Sequence, residues 1–404
     1  MMERNEATIR FVKEHREEDV RALALQTRRD GDVDLTWALD QIQGWQTARR
    51  KLPSWAAIDG IVYPTHLSME QCSSEQTAIY KCGVIEQLPL EGRETLIDLT
   101  GGFGVDFAFM AKCSEQAVYV ERQEHLCETA QHNFNLLGLH HARIIHGDAE
   151  DILSHLDTQP GNTFIYVDPA RRDSNRARTY AITDCTPNVQ ELKERLIEAS
   201  HHVLIKLSPM LDWHKAMLDL VEHVAEIHIV SVANECKELL ILLAAGHKGE
   251  PIIHCVNDNQ HLIYTPPESD VPVAIADDDN ARFIYEPNAS IMKAGCFGLL
   301  TQRFPVKALA PDSHLFVSAE QVKDFPGRRF AVTAITTMNK KELANALKGI
   351  THANIATRNF PMTAQQLRQR LHLQDGGDTY IFGTTTATAR RLYICHKPSH
   401  GDVG

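Results

Sequence analysis

Between residues 95 and 245 the chain alternates short, continuously apolar runs with longer segments of helical period. The runs fall at 95–99, 117–121, 142–146, 163–167, 202–207 and 225–231, with 239–244 as a candidate seventh. Strands covered on both faces read as unbroken apolar sequence, and the amphipathic stretches between them are the covering helices. The alternation therefore predicts an α/β, Rossmann-like parallel sheet. One covering helix is expected over 189–199, with Asp184, Thr186 and Pro187 marking its start. Upstream, residues 1–80 read as helical. In 32–50, Leu35, Ala38, Leu39, Ile42 and Trp45 recur at offsets of 3, 4, 7 and 10, one face of a helix. Residues 51–67 carry Pro53, Gly60 and Pro64 and read as a loop. A further helix begins within 68–75, where several caps are available, and runs through Ala78, Ile79 and Lys81.

Downstream, Pro266-Pro267 and the acidic run Asp277-Asp278-Asp279 mark a boundary region. Short strands at 282–285 and 314–317 suggest a small α+β unit. The tail reads as strand 328–336, helix 340–347, strand 355–358, helix 364–371 and strands 379–384 and 390–396. Two helices on a small sheet suffice for an independent domain. The expected division is an N-terminal helical region (1–80), a sheet domain (81–250), a linker with a small domain (251–318) and a C-terminal α+β domain (319–404).

Charge is unevenly spread across the 404 residues. Residues 1–280 hold 25 Lys+Arg against 45 Asp+Glu, whereas 281–404 hold 16 against 8, an acidic body with a tail of +8. A basic tail module suits local capture of a polyanion, not a long duplex laid over the whole molecule. No run of 18 apolar residues is present, so no membrane span is expected. The first residues carry acid without an apolar run behind them, unlike a secretory signal. The nine cysteines form no Cys-x-x-Cys pair and no ligand-spaced cluster. Reduced thiols, no metal and a cytoplasmic location are the expectations.

The chemistry concentrates at the ends of the apolar runs. The first ends at Asp98, followed by Thr100 and by Gly101, Gly102 and Gly104; the next three end at Glu121, at Gly147-Asp148 and at Asp168-Pro169. Parallel strands place such residues along one carboxyl edge, where open α/β sheets bind ligands. Three glycines let backbone approach a ligand closely. A nicotinamide fingerprint alone would share them, but two acids discriminate. Asp98 stands before the glycines, where it meets an amine or water and not a pyrophosphate. Asp148 is an acid that the nicotinamide pattern does not require. With Glu121 on the ribose hydroxyls and Asp148 on an adenine amine, the set favours S-adenosylmethionine. Arg122 and Ala149, beside these acids, complete the cofactor-binding set with Thr100 and Asp168. Asp106 reads as a helix cap.

At the fourth run, Pro169 fixes its φ and would present the Asp168 carboxylate and the Ala170 carbonyl beside the methyl group. Methyl transfer to an amine needs an in-line approach and little acid–base chemistry, so placement supplies most of the rate. Asp168 is the residue to orient the nucleophile or take its proton. Arg171 and Arg172 add charge at the mouth, with surface salt bridges as the competing role. Lys206 closes the fifth apolar run and faces the same crevice. Cys185 is a weaker nucleophile candidate, since an isolated cysteine is usually inert.

Asp98, the three glycines, Glu121, Asp148 and Asp168-Pro169 resemble, in order and spacing, the motifs of class I S-adenosylmethionine-dependent methyltransferases. Residues 70–78, Glu235-Cys236-Lys237-Glu238, Arg358-Asn359-Phe360-Pro361, Leu367-Arg368 and Asp375-Gly376-Gly377-Asp378 extend the resemblance. They are similar to the bacterial methyltransferases that carry a small ferredoxin-like domain and a C-terminal THUMP-like domain. That resemblance implies RNA methylation, with tRNA or rRNA as partner, in agreement with the basic tail. Exocyclic-amine methyltransferases show a second proline and an aromatic where this chain has Ala170 and Arg171, which weighs against an adenine-N6 target. The cysteine pair of some pyrimidine-C5 enzymes is also missing. A protein or small-molecule methyltransferase, and a non-catalytic RNA-binding protein on the same fold, stay open, as do target atom and oligomeric state.

Overall fold

A computed structural model describes residues 5–26, 32–156, 158–171, 182–220, 222–276, 281–386 and 388–398. The chain forms two compact units, residues 1–227 with 237–249 and residues 228–236 with 250–404.

In the first unit six helices precede the sheet: α1 (Glu6–His15), α2 (Val20–Gln26), α3 (Leu35–Lys51), α4 (Pro53–Ala56), α5 (His66–Gln71) and α6 (Glu75–Glu86). Asp34 caps α3 by accepting the Trp37 N–H, and Arg49, Arg50 and Lys51 sit at its negative C-terminal end. The expected loop 51–67 contains α4, because Pro53 stands in the first turn, where a missing N–H costs nothing. The single helix expected over 68–81 is two. Cys72 turns the chain into extended conformation and Ser74 restarts it by accepting the Thr77 N–H. Asn133, fully buried, closes a pair of hydrogen bonds with the backbone of Val62 (2.8 and 2.9 Å), fixing the post-α4 segment to the sheet's helical cover.

The sheet strands are β1 (Thr95–Asp98), β2 (Gln116–Glu121), β3 (Ala142–His146), β4 (Thr163–Val167), β5 (His202–Leu207), β6 (Val224–Val232) and β7 (Glu235–Ala244). Their order is β3-β2-β1-β4-β5-β7-β6. Strands β1 to β5 pair in parallel, and β7 runs antiparallel to β5. This is the Rossmann-like sheet that the apolar runs predict. Strand β7 starts four residues before its apolar run, since its opening residues include the exposed Glu235 and Lys237 and give no apolar signal. Helices α7 (Val105–Met110), α8 (Glu124–Leu136), α9 (Ala149–His155), α10 (Val189–Ala199) and α11 (Trp213–Asp219) complete the unit. Helix α10 is capped by Asn188 through the Gln190 N–H, not by the upstream residues, since a cap must lie directly before the first turn. Cys82 and Cys113 are joined by a disulfide, which corrects the expectation of reduced thiols for that pair.

In the second unit β8 (Ile252–Asn257) and β9 (Gln260–Tyr264) form an antiparallel hairpin that the sequence pattern did not predict. A mixed sheet follows, with β10 (Phe283–Pro287), β11 (Lys307–Ala308), β12 (Phe316–Ser318), β13 (Gly327–Thr336), β14 (Asn354–Arg358), β15 (Thr379–Thr385) and β16 (Arg390–His396). The order is β11-β12-β10-β13-β16-β15-β14, with β14 and β15 the parallel pair. Helices α12 (Pro266–Ser269), α13 (Ala289–Ala294), α14 (Phe297–Arg303), α15 (Lys340–Ala346) and α16 (Ala364–Leu371) accompany it. Ile284, Leu315, Phe330, Phe382 and Tyr393 form one of its cores. Asp277-Asp278-Asp279 lies outside the described residues. No described helix is long and apolar enough to cross a membrane.

Candidate active site

Strands β4, β1, β2 and β3 are adjacent and parallel, so their carboxyl ends share one edge. Asp98 ends β1 and is 1 % exposed. Its Oδ1 accepts the Thr100 N–H (2.9 Å), while Oδ2 accepts no hydrogen bond among the described residues. Burial, reinforced by Asp106, Asp168 and Glu121, pushes its carboxyl well above the ordinary range. The Thr100 hydroxyl in turn accepts the Asp168 N–H at 2.6 Å. The first strand end is thereby tied to the fourth across the glycine turn.

The turn itself depends on absent side chains. A Cβ on Gly101 would lie 2.1 Å from the Tyr119 ring, and one on Gly104, at φ +84°, 2.8 Å from Phe134. Gly102 has φ +55° and only the Thr100 carbonyl within 4 Å of a Cβ position, so the side of the turn where a side chain would stand is open. Glu121 ends β2 and fixes this loop: Oε2 accepts the Gly102 N–H (2.8 Å) and Oε1 the Gln123 N–H (2.9 Å). A carboxylate has further lone pairs, so these bonds leave room for hydroxyl donors. The Gly147 N–H donates to the Glu121 carbonyl (3.0 Å), seating the third strand end alongside. Asp148 is exposed and caps α9 through the Glu150 N–H; its Oδ2 accepts nothing from the described residues. Ala149 is buried as the first residue of α9, and Arg122 is exposed, its carbonyl 3.0 Å from His146 Nε2.

Behind this edge lies a buried ionic network. Lys206, near the end of β5, donates to Asp168 Oδ2 (2.6 Å) and Ser73 Oγ (3.1 Å) and reaches Asp106 Oδ2 (3.4 Å). Lys81 on α6, fully buried, donates to both oxygens of Glu238 (2.6 and 2.7 Å) and lies 3.3 Å from Asp106 Oδ1. Asp106 also accepts from Ser73 (2.7 Å) and Tyr166 (2.8 Å). It does not cap α7, as the sequence suggested. Burial alone would raise its pKa, but Lys81 and Lys206, with those two hydroxyls, hold it down at about 2. Burial would lower Lys206, yet Asp168, Asp106 and Glu238 outweigh it, so Lys206 stays charged. Glu238 is raised, because burial exceeds the pull of the lysines.

The structure thus joins Asp98, Thr100, Gly101, Gly102, Gly104, Glu121, Asp168 and Lys206 in one connected edge, with Asp148 and Ala149 at the neighbouring strand end. Pro169 leads into Ala170–Arg171, which pairs with Cys185–Thr186. The Arg171 side chain and the whole of Arg172 lie outside the described residues. Cys185 is 5 % exposed, an environment of inert thiols. Sequence reasoning passed over Lys81, Ser73, Asp106 and Tyr166 as site residues. The available signal was a charge inside apolar segments: Lys81 beside Ala78, and Asp106 between Val105 and Phe107.

The strand order, with its reversed β7 and with a glycine turn and acids at the carboxyl edge, defines a class I methyltransferase. Residues 327–397 match the THUMP domain-like family model, and residues 283–326 match a ferredoxin-like domain. A candidate methyltransferase from Porphyromonas gingivalis W83 is 32 % identical, with 97 % of this chain and 98 % of that chain covered and a TM-score of 0.85. The chain therefore belongs to the family of S-adenosylmethionine-dependent methyltransferases with ferredoxin-like and THUMP-like domains. Two further structures are more distant. SMU.1697c of Streptococcus mutans, solved with SAH, is 13 % identical (41 % and 95 % covered, TM-score 0.32). An rRNA methylase of Streptococcus thermophilus is 16 % identical (42 % and 95 % covered, TM-score 0.32).

Proposed function

We propose that this methyltransferase modifies a base of structured RNA, tRNA or rRNA, by direct in-line transfer. The observation that carries the site assignment is the lysine-clamped carboxylate of Asp168, hydrogen-bonded through its N–H to Thr100 beside the glycine turn. The cradle fits S-adenosylmethionine. Asp98 has an uncommitted oxygen for an ammonium group, the Cα face of Gly102 is open, and Glu121 and Asp148 retain acceptor capacity for ribose and adenine. Thr100, Gly101 and Gly104 shape the wall, and Arg122 and Ala149 flank it.

When bound, the cofactor supplies an electrophilic methyl group. The chain's part is placement. Lys206 fixes one oxygen of Asp168, leaving the other for a hydrogen bond from the nucleophile. Pro169 makes the following turn rigid. The RNA assignment rests on the excess of 16 Lys+Arg over 8 Asp+Glu in residues 281–404, and on the THUMP-like segment that the resemblance associates with RNA enzymes. In this reading 1–80 and 81–250 form the helical and catalytic parts, and 251–318 and 319–404 hold substrate, within the cytoplasm. The test is transfer of labelled methyl to fractionated total RNA, protein and small molecules, followed by nucleoside analysis. Label in a single modified nucleoside is the expected result; label confined to protein or small molecules overturns the RNA assignment.

A further inference from the structure

A second polar cavity lies within the other unit, formed where two hairpin turns meet the start of β13. It has a volume of about 310 Å³ and is lined almost wholly by amide side chains, with one acid and one cation. Ala233 and Asn234, at φ +50° and +63°, form the two-residue turn between β6 and β7. Asp258 and Asn259 form the turn between β8 and β9. The turns are fastened together: the Asp258 carboxylate accepts the Ala233 N–H (3.0 Å), and Asn257 Oδ1 accepts the Asn234 N–H (3.0 Å). Asn234 Oδ1 accepts the Ala289 N–H (2.9 Å), and Asn288 donates to Gln260 (3.0 Å), which donates to the Gly327 carbonyl (3.2 Å). The wall is therefore preorganised before anything enters it.

The cation is equally fixed. Arg328 donates through Nε to Glu286 (2.9 Å), and its second contact to the same carboxylate makes a two-point clamp. Glu286 is 3 % exposed and also takes Arg358 (2.8 Å), while the Arg328 guanidinium sits 5.7 Å from the centroid of Phe330. A surface arginine anchored this way loses little entropy on meeting a ligand. The donors of the Asn234 and Asn259 side-chain amides have no acceptor among the described residues.

We propose that this cavity binds one unpaired nucleotide of single-stranded RNA, with the amides on the base edge and Arg328 on its phosphate or stacked against the base. This rests on the RNA reading above and adds a point of attachment in the second unit to the one at the catalytic edge. The open amide donors of Asn234 and Asn259, with the open carbonyl of Asn259, match the edge of a base, and arginine matches phosphate and base faces. The volume stands at the small end of ligand pockets, about 300–1,000 Å³, and suits a splayed base, not a helix.

The test measures fluorescence anisotropy of a labelled single-stranded RNA 12-mer of mixed sequence, and of its duplex, with the full chain and three variants. Asn259→Ala removes an amide without touching a fold contact. Arg328→Gln keeps a donor for Glu286 but loses the charge. Arg10→Gln removes an equal charge from an exposed position of α1, outside the basic tail. The expected result is a loss of about tenfold in single-strand affinity for each cavity variant, with little change for Arg10→Gln or for the duplex. Equal losses in all three variants, or no binding by the native chain, overturn the proposal. Calorimetry with S-adenosylhomocysteine should be unchanged throughout. If total RNA accepts no methyl group while the cavity variants still lose 12-mer binding, the catalytic reading fails and the nucleotide site stands.

Discussion

Replacing Lys81 by methionine isolates the network behind the catalytic edge. Lys81 is fully buried and makes three close contacts with carboxylate oxygens, two on Glu238 and one on Asp106. Asp106 would keep Lys206, but Glu238 would be left without a partner among its described contacts. Breaking a buried pair from one side costs about 3–5 kcal/mol, far more than the pair is worth against an apolar replacement. The first unit has some 240 residues, for which each kcal/mol moves Tm by about 2–4 °C. Thermal melting of Lys81→Met should therefore fall by about 6–20 °C at pH 7. Glu238 is already raised by burial, and losing Lys81 raises it further. A group whose folded pKa exceeds its unfolded value favours the folded state as it takes up its proton, so the deficit should narrow from pH 8 to pH 5. The double variant Lys81→Met with Glu238→Met removes both charges and should recover most of the loss, a coupling of at least about 2 kcal/mol. A deficit under about 1 kcal/mol, or a double variant as unstable as the single one, would refute the reasoning.

Gly101→Ala places a methyl 2.1 Å from the Tyr119 ring, so the turn must shift; calorimetry should show S-adenosylhomocysteine affinity reduced by at least about tenfold, and native affinity would refute the cradle. Burial pushes the Asp98 carboxyl well above the ordinary range, and a cationic ammonium partner would pull it back down. Binding should then release a proton, strengthen as pH rises, and show heats that depend on the buffer; Asp98→Asn should abolish that dependence. Asp106 has its folded pKa at about 2 against an unfolded 3.8. Its stabilisation of about 2 kcal/mol is complete above pH 4 and lost as pH falls towards 2. Acid unfolding followed by circular dichroism should show this component in the native chain and not in Asp106→Asn.

Strands β1, β4 and β5 were legible because they are buried on both faces, which leaves an unbroken apolar run with few competing patterns, whereas β3, at the sheet edge, has no fully buried residue. The β8–β9 hairpin was not. The polar Gln260 and His261 open β9 and shorten its apolar signal to three residues, and the Asp258-Asn259 turn lacks the glycine that usually announces a hairpin. The helix 68–81 was read as one because Ser68, Ser73 and Ser74 all offer caps, and periodicity does not say which is used; the Ser74–Thr77 bond decides it. The same ambiguity explains Asp106. An acid just inside a helix after a glycine turn reads as a complement to the positive helix end. Only tertiary packing reveals that its carboxylate turns inward to two lysines, from α6 and β5, that are 125 residues apart in sequence.

Strand-end acids at one edge do not all stay ionised on their own. Asp98 is pushed towards its neutral form, while Asp106, also buried, is held charged because Lys81 and Lys206 reach it. The difference is one of partners, not of burial, since both carboxyls are nearly inaccessible. Lys206 is the link: it is shared between Asp106 in the interior and Asp168 at the open edge, so the charge of the buried network sets the orientation of the exposed carboxylate. Asp98, with no cation of its own among the described residues, is the position where a positively charged ligand gains most. A cofactor that brings its own ammonium completes the charge pattern that this edge leaves unbalanced, whereas a dinucleotide pyrophosphate would add negative charge beside a buried acid. Charge complementarity thus favours the sulfonium nucleoside independently of the glycine turn, which both ligands could use.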